Sequence, residues 1–210
     1  ITNIFKNKAE IPNQNIEFFN GILCPGFINA HCHLELSHLH NISKSVNGFS
    51  EFLKIVKKRE KYSQGFITRA IKSAEDQMIK NGIVAVGDIC NTTDTLEIKK
   101  NKKIYYYNFI EAFEVSSKKS SNAIAKALLI RDAFRNNNLK ATITPHSPYS
   151  VTPDLMKLIA NVSDEFDYTF SMHNQETEEE NILFKNKKGK FHNWLKSLNA
   201  SAEIWNNRSS

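Results

Sequence analysis

Strand-like runs alternate with helix-like runs along most of this 210-residue chain, a rhythm that builds a parallel sheet with crossover helices. The first strand is expected over Phe27–His33. Helices should follow near Phe49–Glu60 and Gln64–Lys80; the second carries a stripe of Phe66, Ile67, Ala70, Ile71, Ala74 and Met78 and stops at Asn81-Gly82. Next come a strand over Ile83–Ile89, a weak helix around Thr93–Lys100 and a strand over Lys103–Ile110. A helix near Ser121–Arg135 leads to the strand Lys140–Thr144. Thr152 then reads as an N-cap with Pro153 at the first helical position, ahead of a buried face of Leu155, Leu158, Ile159 and Val162. A fifth strand, Tyr168–His173, precedes an acidic helix start and a last helix around Lys190–Leu198.

Five strands in this order suit either an open α/β sheet or an incomplete (β/α)8 barrel. Seven glycines are too sparsely placed for a Rossmann fingerprint or a P-loop. Ile1–Gly21 falls outside the rhythm and reads as short β-strands joined by polar turns.

Side chains alternate across a strand, so residues two apart share a face. Asn29, His31 and His33 therefore face one way, as do Thr142, Thr144 and His146, and Ser171 with His173. Each of these strands places a histidine near its C-terminal end. In a barrel those ends ring the mouth, where the active sites of that fold lie. Asp88 and Glu111 also fall at strand ends and are candidates for the same reason.

Composition narrows the partners. Apolar residues make up 40% of the chain and charged residues 24%, which is globular composition. The net charge of +6 is spread over scattered lysines, without the aromatic-interleaved basic stripe of a nucleic-acid binder. No apolar run approaches the ~20 residues a membrane span needs, and Ile1–Glu10 lacks the apolar core of a signal peptide. Cys24, Cys32 and Cys90 form an odd set without CxxC spacing and fit a reducing compartment. A cytoplasmic protein acting on a small molecule is expected, with no nucleic-acid or membrane partner; a homodimer of a longer parent stays open.

The segment from Pro25 to Glu35, PGFINAHCHLE, is the most informative. Two histidines at i and i+2 on a strand project side by side and can bind one metal. With its preceding Pro-Gly turn, the segment resembles the first-strand signature of the amidohydrolase superfamily. Thr144-Pro-His-Ser-Pro-Tyr149 resembles the fourth-strand segment of that superfamily's deaminase and chlorohydrolase branch, and Ser171-Met-His-Asn-Gln-Glu176 its fifth-strand HxxE motif. The wording HCHLELSHL is similar to that of enzymes resembling aminodeoxyfutalosine deaminase, with adenosylhomocysteine and guanine deaminases as near relatives.

The resemblance implies a partial (β/α)8 barrel of about five βα units, in residues 25–210, preceded by part of a small β-sandwich in residues 1–24. It makes His31, His33 and His173 metal ligands, His146 a substrate contact and Glu176 the proton shuttle, around one divalent ion, Zn²⁺ or Fe²⁺. Lys140 lies at the beginning of its strand, away from the end where binuclear members carry a bridging lysine, so a mononuclear site is expected. The implied reaction is hydrolytic deamination of an aminopurine nucleoside-like substrate by water activated on the metal. Alternatives are a chlorohydrolase, another amidine or cyclic amide hydrolase, or a degenerate metal-binding scaffold; an intact Glu176 beside His173 speaks against the last.

Other polar residues have plainer readings. Glu35 follows His33 by two and is assigned to substrate, with a structural hydrogen bond as the alternative. His38, His40 and His192 are read as surface or packing residues. Glu178, Glu179 and Glu180 put negative charge on a helix's first turn, where the dipole favours it. Family members also supply a sixth-strand histidine and an eighth-strand aspartate beyond the segment seen here. The 210 residues are therefore expected to be an internal fragment, inactive by itself.

Overall fold

The computed structural model describes residues 4, 6–7, 17–40, 48–163, 169–201 and 204. Four strands, β1 (Phe27–Cys32), β2 (Ile83–Cys90), β3 (Tyr105–Ala112) and β4 (Lys140–Pro145), pair in that order, every pair parallel. Between and after them run α1 (Phe49–Lys57), α2 (Gln64–Lys80), α3 (Leu96–Lys99), α4 (Ser120–Arg135), α5 (Pro153–Val162), α6 (Glu178–Asn186) and α7 (Lys190–Ser197). Sequential parallel strands with intervening helices make this mixed α/β fold a partial (β/α)8 barrel.

The core lies between the sheet and its helices. Val86 and Tyr106 pack with Ile67 and Ile71 of α2 and with Leu34. Further along, Cys90, Ile110, Ala141 and Ile143 meet Ile124, Ala127 and Phe134 of α4 and Leu155 and Ile159 of α5. Burying each large side chain of this kind stabilises by roughly 1.5–3 kcal/mol before conformational entropy is subtracted. The α5 start forms as its sequence demands: the Leu155 N–H donates to the Thr152 hydroxyl at 3.1 Å, with Pro153 at the first turn. A third cluster joins Tyr149 to Leu183, Phe184, Phe191 and Leu195, and so fastens α6 and α7 to the segment after β4.

The other face of the sheet carries polar groups, and the backbones approach closely there. A Cβ on Gly87 would stand 2.5 Å from the Ala30 carbonyl oxygen, so only glycine lets β1 and β2 pair as they do.

Two expected elements differ. Tyr168 lies outside the described residues, and Phe170–His173 form no ladder with β4. The Thr144 hydroxyl stands between the two segments: it accepts the Ser171 N–H at 3.0 Å and donates to the Ser171 carbonyl. One backbone bond then follows, His173 N–H to His146 O at 2.9 Å. A side chain thus does the pairing that a ladder would do. The helix expected over Thr93–Lys100 shrinks to the single turn of α3, whose Lys99 is drawn into the core. Of the β-strands expected over Ile1–Gly21, most of the segment lies outside the described residues, and Glu17–Gly21 form no strand. Among the described residues no helix is long and apolar enough to cross a membrane.

Candidate active site

Strand alternation brings His31 and His33 to one side of the end of β1. The loop held to β4 brings His173 to meet them. The Nε2 atoms of His31 and His33 lie 3.2 Å apart, and those of His33 and His173 3.0 Å apart. The three ring centroids are separated by 4.8–5.1 Å. Ligands held tetrahedrally at ~2.0–2.1 Å from one Zn²⁺ sit about 3.3 Å from each other, so this spacing suits a shared ion. Burial pushes His33 down to about 4 and also lowers His31, which favours the neutral, metal-binding form of both rings. The donor set therefore fits a divalent metal.

Glu111 stands behind His173. Its Oε1 lies 3.1 Å from Nδ1 of His173, and its Oε2 accepts from Asn91 Nδ2 at 2.7 Å. Burial alone would raise the Glu111 pKa; the His173 hydrogen bond and the charge of His146 outweigh it and hold the carboxyl down to about 2. A bond from Nδ1–H to this carboxylate fixes the tautomer that leaves Nε2 as an acceptor. Glu111, His146 and His173 also converge as a possible ligand group. We favour the three-histidine group, because Nδ1 of His173 is already engaged by Glu111 and by the His146 carbonyl at 3.2 Å.

His146 sits beside this centre, its ring centroid 4.9 Å from that of His173. Its Nδ1 hydrogen-bonds with the hydroxyls of Ser147 and Ser150 at 2.9 and 2.6 Å, which orients Nε2 away from them. Glu176 is solvent-facing, and its charge acts on both His31 and His173. Lys140 lies at the far end of β4, its Nζ 5.8 Å from the Tyr105 ring centroid.

Glu35 takes a different place from the one expected as a substrate contact. It is 1% exposed and its acceptors are filled: Arg59 donates to Oε1 at 2.8 Å, while the Asn91 N–H, Thr92 N–H and Thr92 hydroxyl reach Oε2 at 3.1, 3.0 and 2.8 Å. The chain leaves the strand at His33 and turns into a 3-10 helix over Leu34–Leu39, so the two-residue periodicity no longer carries Glu35 to the face of His33. Asp88 also points elsewhere, into the core, where Lys99 donates to it and the Leu34 N–H donates to its Oδ1 at 2.8 Å. His38 and His192 are buried outside the centre and His40 is exposed.

Sequence reasoning placed Glu111 and Asp88 on an equal footing, and only Glu111 reaches the histidines. The register pairs Glu111 with Thr144, which shares a strand face with His146; that pairing is the signal that separates it from Asp88.

The Amidohydrolase family model matches residues 22–203. An adenosine deaminase of Helicobacter pylori is 30% identical over 186 residues, covering 87% of this chain and 45% of that protein. An aminodeoxyfutalosine deaminase of Nitratiruptor is 25% identical over 200 residues, 89% of this chain and 47% of its own length. The crystal structure of Helicobacter pylori aminofutalosine deaminase in complex with methylthio-coformycin aligns with a TM-score of 0.69 at 26% identity, covering 86% of this chain and 44% of that one. The chain spans less than half the length of these proteins. A match that begins ahead of the strand bearing His31 and runs past the helices that follow Glu176 settles the family: the chain belongs to the amidohydrolases.

Proposed function

We propose that the protein containing this chain hydrolytically deaminates an aminopurine nucleoside-like substrate. The convergence of the His31, His33 and His173 Nε2 atoms carries this reading, and relatives named as adenosine and aminodeoxyfutalosine deaminases support the substrate class. A divalent ion held by the three imidazoles would supply Lewis acidity and draw the pKa of a water towards neutrality. Imidazole donors suit Zn²⁺ or Fe²⁺. Glu176 takes a proton from the attacking water and delivers it to the substrate's ring nitrogen, which is general acid–base catalysis. His146, fixed through Nδ1, presents Nε2 to the substrate. Water adds at the carbon bearing the amino group and ammonia leaves.

Glu35 has no part in substrate contact on this reading; it braces the loop after β2. The free thiols of Cys24, Cys32 and Cys90 suit the cytoplasm. Ammonia release by the full-length protein from a panel of aminopurine nucleosides, before and after metal removal, tests the proposal. Metal-dependent release from at least one of them is expected. No release from any, with metal bound, would overturn it.

A further inference from the structure

Two residues outside the proposed catalytic set hold Glu176. Tyr149 is 2% exposed, and its hydroxyl donates to Oε2 of Glu176 at 3.2 Å. Its ring is wedged edge-on against Phe49 and Phe191, with centroids 5.7 and 5.0 Å away, so the hydroxyl has little freedom. Burial and then the charge of Glu176 push the phenol pKa well up, which keeps it a proton donor.

The second hold acts on the backbone. Glu180 is fully buried, and its carboxylate accepts the Glu176 N–H at 2.8 Å and the Gln175 N–H at 3.3 Å. Thr177 caps the helix that follows, its hydroxyl accepting the Glu180 N–H at 3.3 Å. Gln175 has φ of 54°, a left-handed conformation uncommon for a residue with a side chain. A helix-start charge favoured by the dipole alone requires neither full burial nor two bonds to the turn that precedes the helix.

We infer that Tyr149 and Glu180 are positioning residues for Glu176: Glu180 clamps the turn that carries it, and Tyr149 ties down Oε2. Oε1 is left as the proton-carrying oxygen. The inference rests on the assignment of Glu176 as the proton shuttle.

The test is a double-mutant cycle in the full-length, metal-loaded protein. Tyr149→Phe keeps the ring packing and removes one hydrogen bond to a charged group. It should lower kcat about tenfold, leave KM within about twofold and leave metal content unchanged. In the Glu176→Gln background, where the shuttle is already gone, Tyr149→Phe should cause no further loss of the residual turnover. Glu180→Gln should behave in the same way, and Glu180→Asp should recover part of the rate. If Glu180→Gln fails to fold, the Tyr149 cycle still decides. Unchanged kcat in Tyr149→Phe, or the same fold-loss in both backgrounds, would overturn the inference while leaving the shuttle in place. Near-normal turnover in Glu176→Gln would remove shuttle and inference together.

Discussion

Glu111 Oε1 lies 3.1 Å from Nδ1 of His173, on the side of the ring away from the Nε2 that faces His33. The carboxylate therefore orients the His173 ring, the proposed ligand, without joining the three nitrogens. Glu111→Gln keeps the shape and removes the charge. Metal affinity should fall about 10–100-fold, the usual effect of losing such a partner. Competition with a chelator on the full-length protein measures it, and unchanged affinity would mean that His173 is held by the His146 carbonyl alone.

Glu176 and His173 should separate by readout. Glu176→Gln should keep metal bound and lower turnover by about 10²–10⁴, the range for a lost acid–base group. His173→Ala should lower metal occupancy and turnover together. Metal analysis and initial rates on both variants decide between shuttle and ligand, and a metal-free Glu176→Gln would end the division of roles.

Much of the site was legible because strand periodicity is strict. His31 and His33 could be placed together from spacing alone, and the Thr152-Pro153 helix start from its cap chemistry. What escaped the sequence depends on the third dimension. Glu35 lost its face because β1 ends at Cys32, three residues earlier. Tyr168–His173 has strand-like composition, yet the Thr144 hydroxyl pairs with Ser171 in place of a ladder. Asp88 and Glu111 both stand near strand ends, and their opposite orientations follow only from register. Glu180 looked like one of three dipole-favoured acids; its full burial shows in no local pattern.

Gly87 offers a packing test with an internal control. Adding a methyl group there forces the Ala30 carbonyl away and with it the strand that bears His31. Gly87→Ala should destabilise the full-length protein by about 1–3 kcal/mol, as overpacking does, and weaken metal binding. Gly65 lies within α2, where a Cβ would meet nothing closer than Arg69 Nη1 at 3.6 Å. Gly65→Ala should therefore be neutral or stabilise by up to ~1 kcal/mol through helix propensity. Urea unfolding of the two variants checks the contrast.

The buried pair of Lys99 and Asp88 supplies the last prediction. Both side chains are inaccessible to solvent; Lys99 also donates to Asn108 Oδ1 at 2.6 Å, and Asp88 Oδ1 holds the Leu34 N–H, one residue beyond His33. Burial alone would lower the Lys99 pKa, but the Asp88 charge outweighs it and raises it, so the lysine stays protonated. Lys99→Met leaves a carboxylate uncompensated inside the core, and breaking such a pair costs about 3–5 kcal/mol. Asp88→Asn combined with Lys99→Met removes both charges and keeps an oxygen for the Leu34 N–H. The double variant should therefore be more stable than Lys99→Met, because a neutral replacement of a buried pair carries no unpaired charge. Urea unfolding of the full-length protein and its two variants measures the order. If the double variant is the less stable, the pair's geometry, and not its charge balance, holds the end of β2 in place.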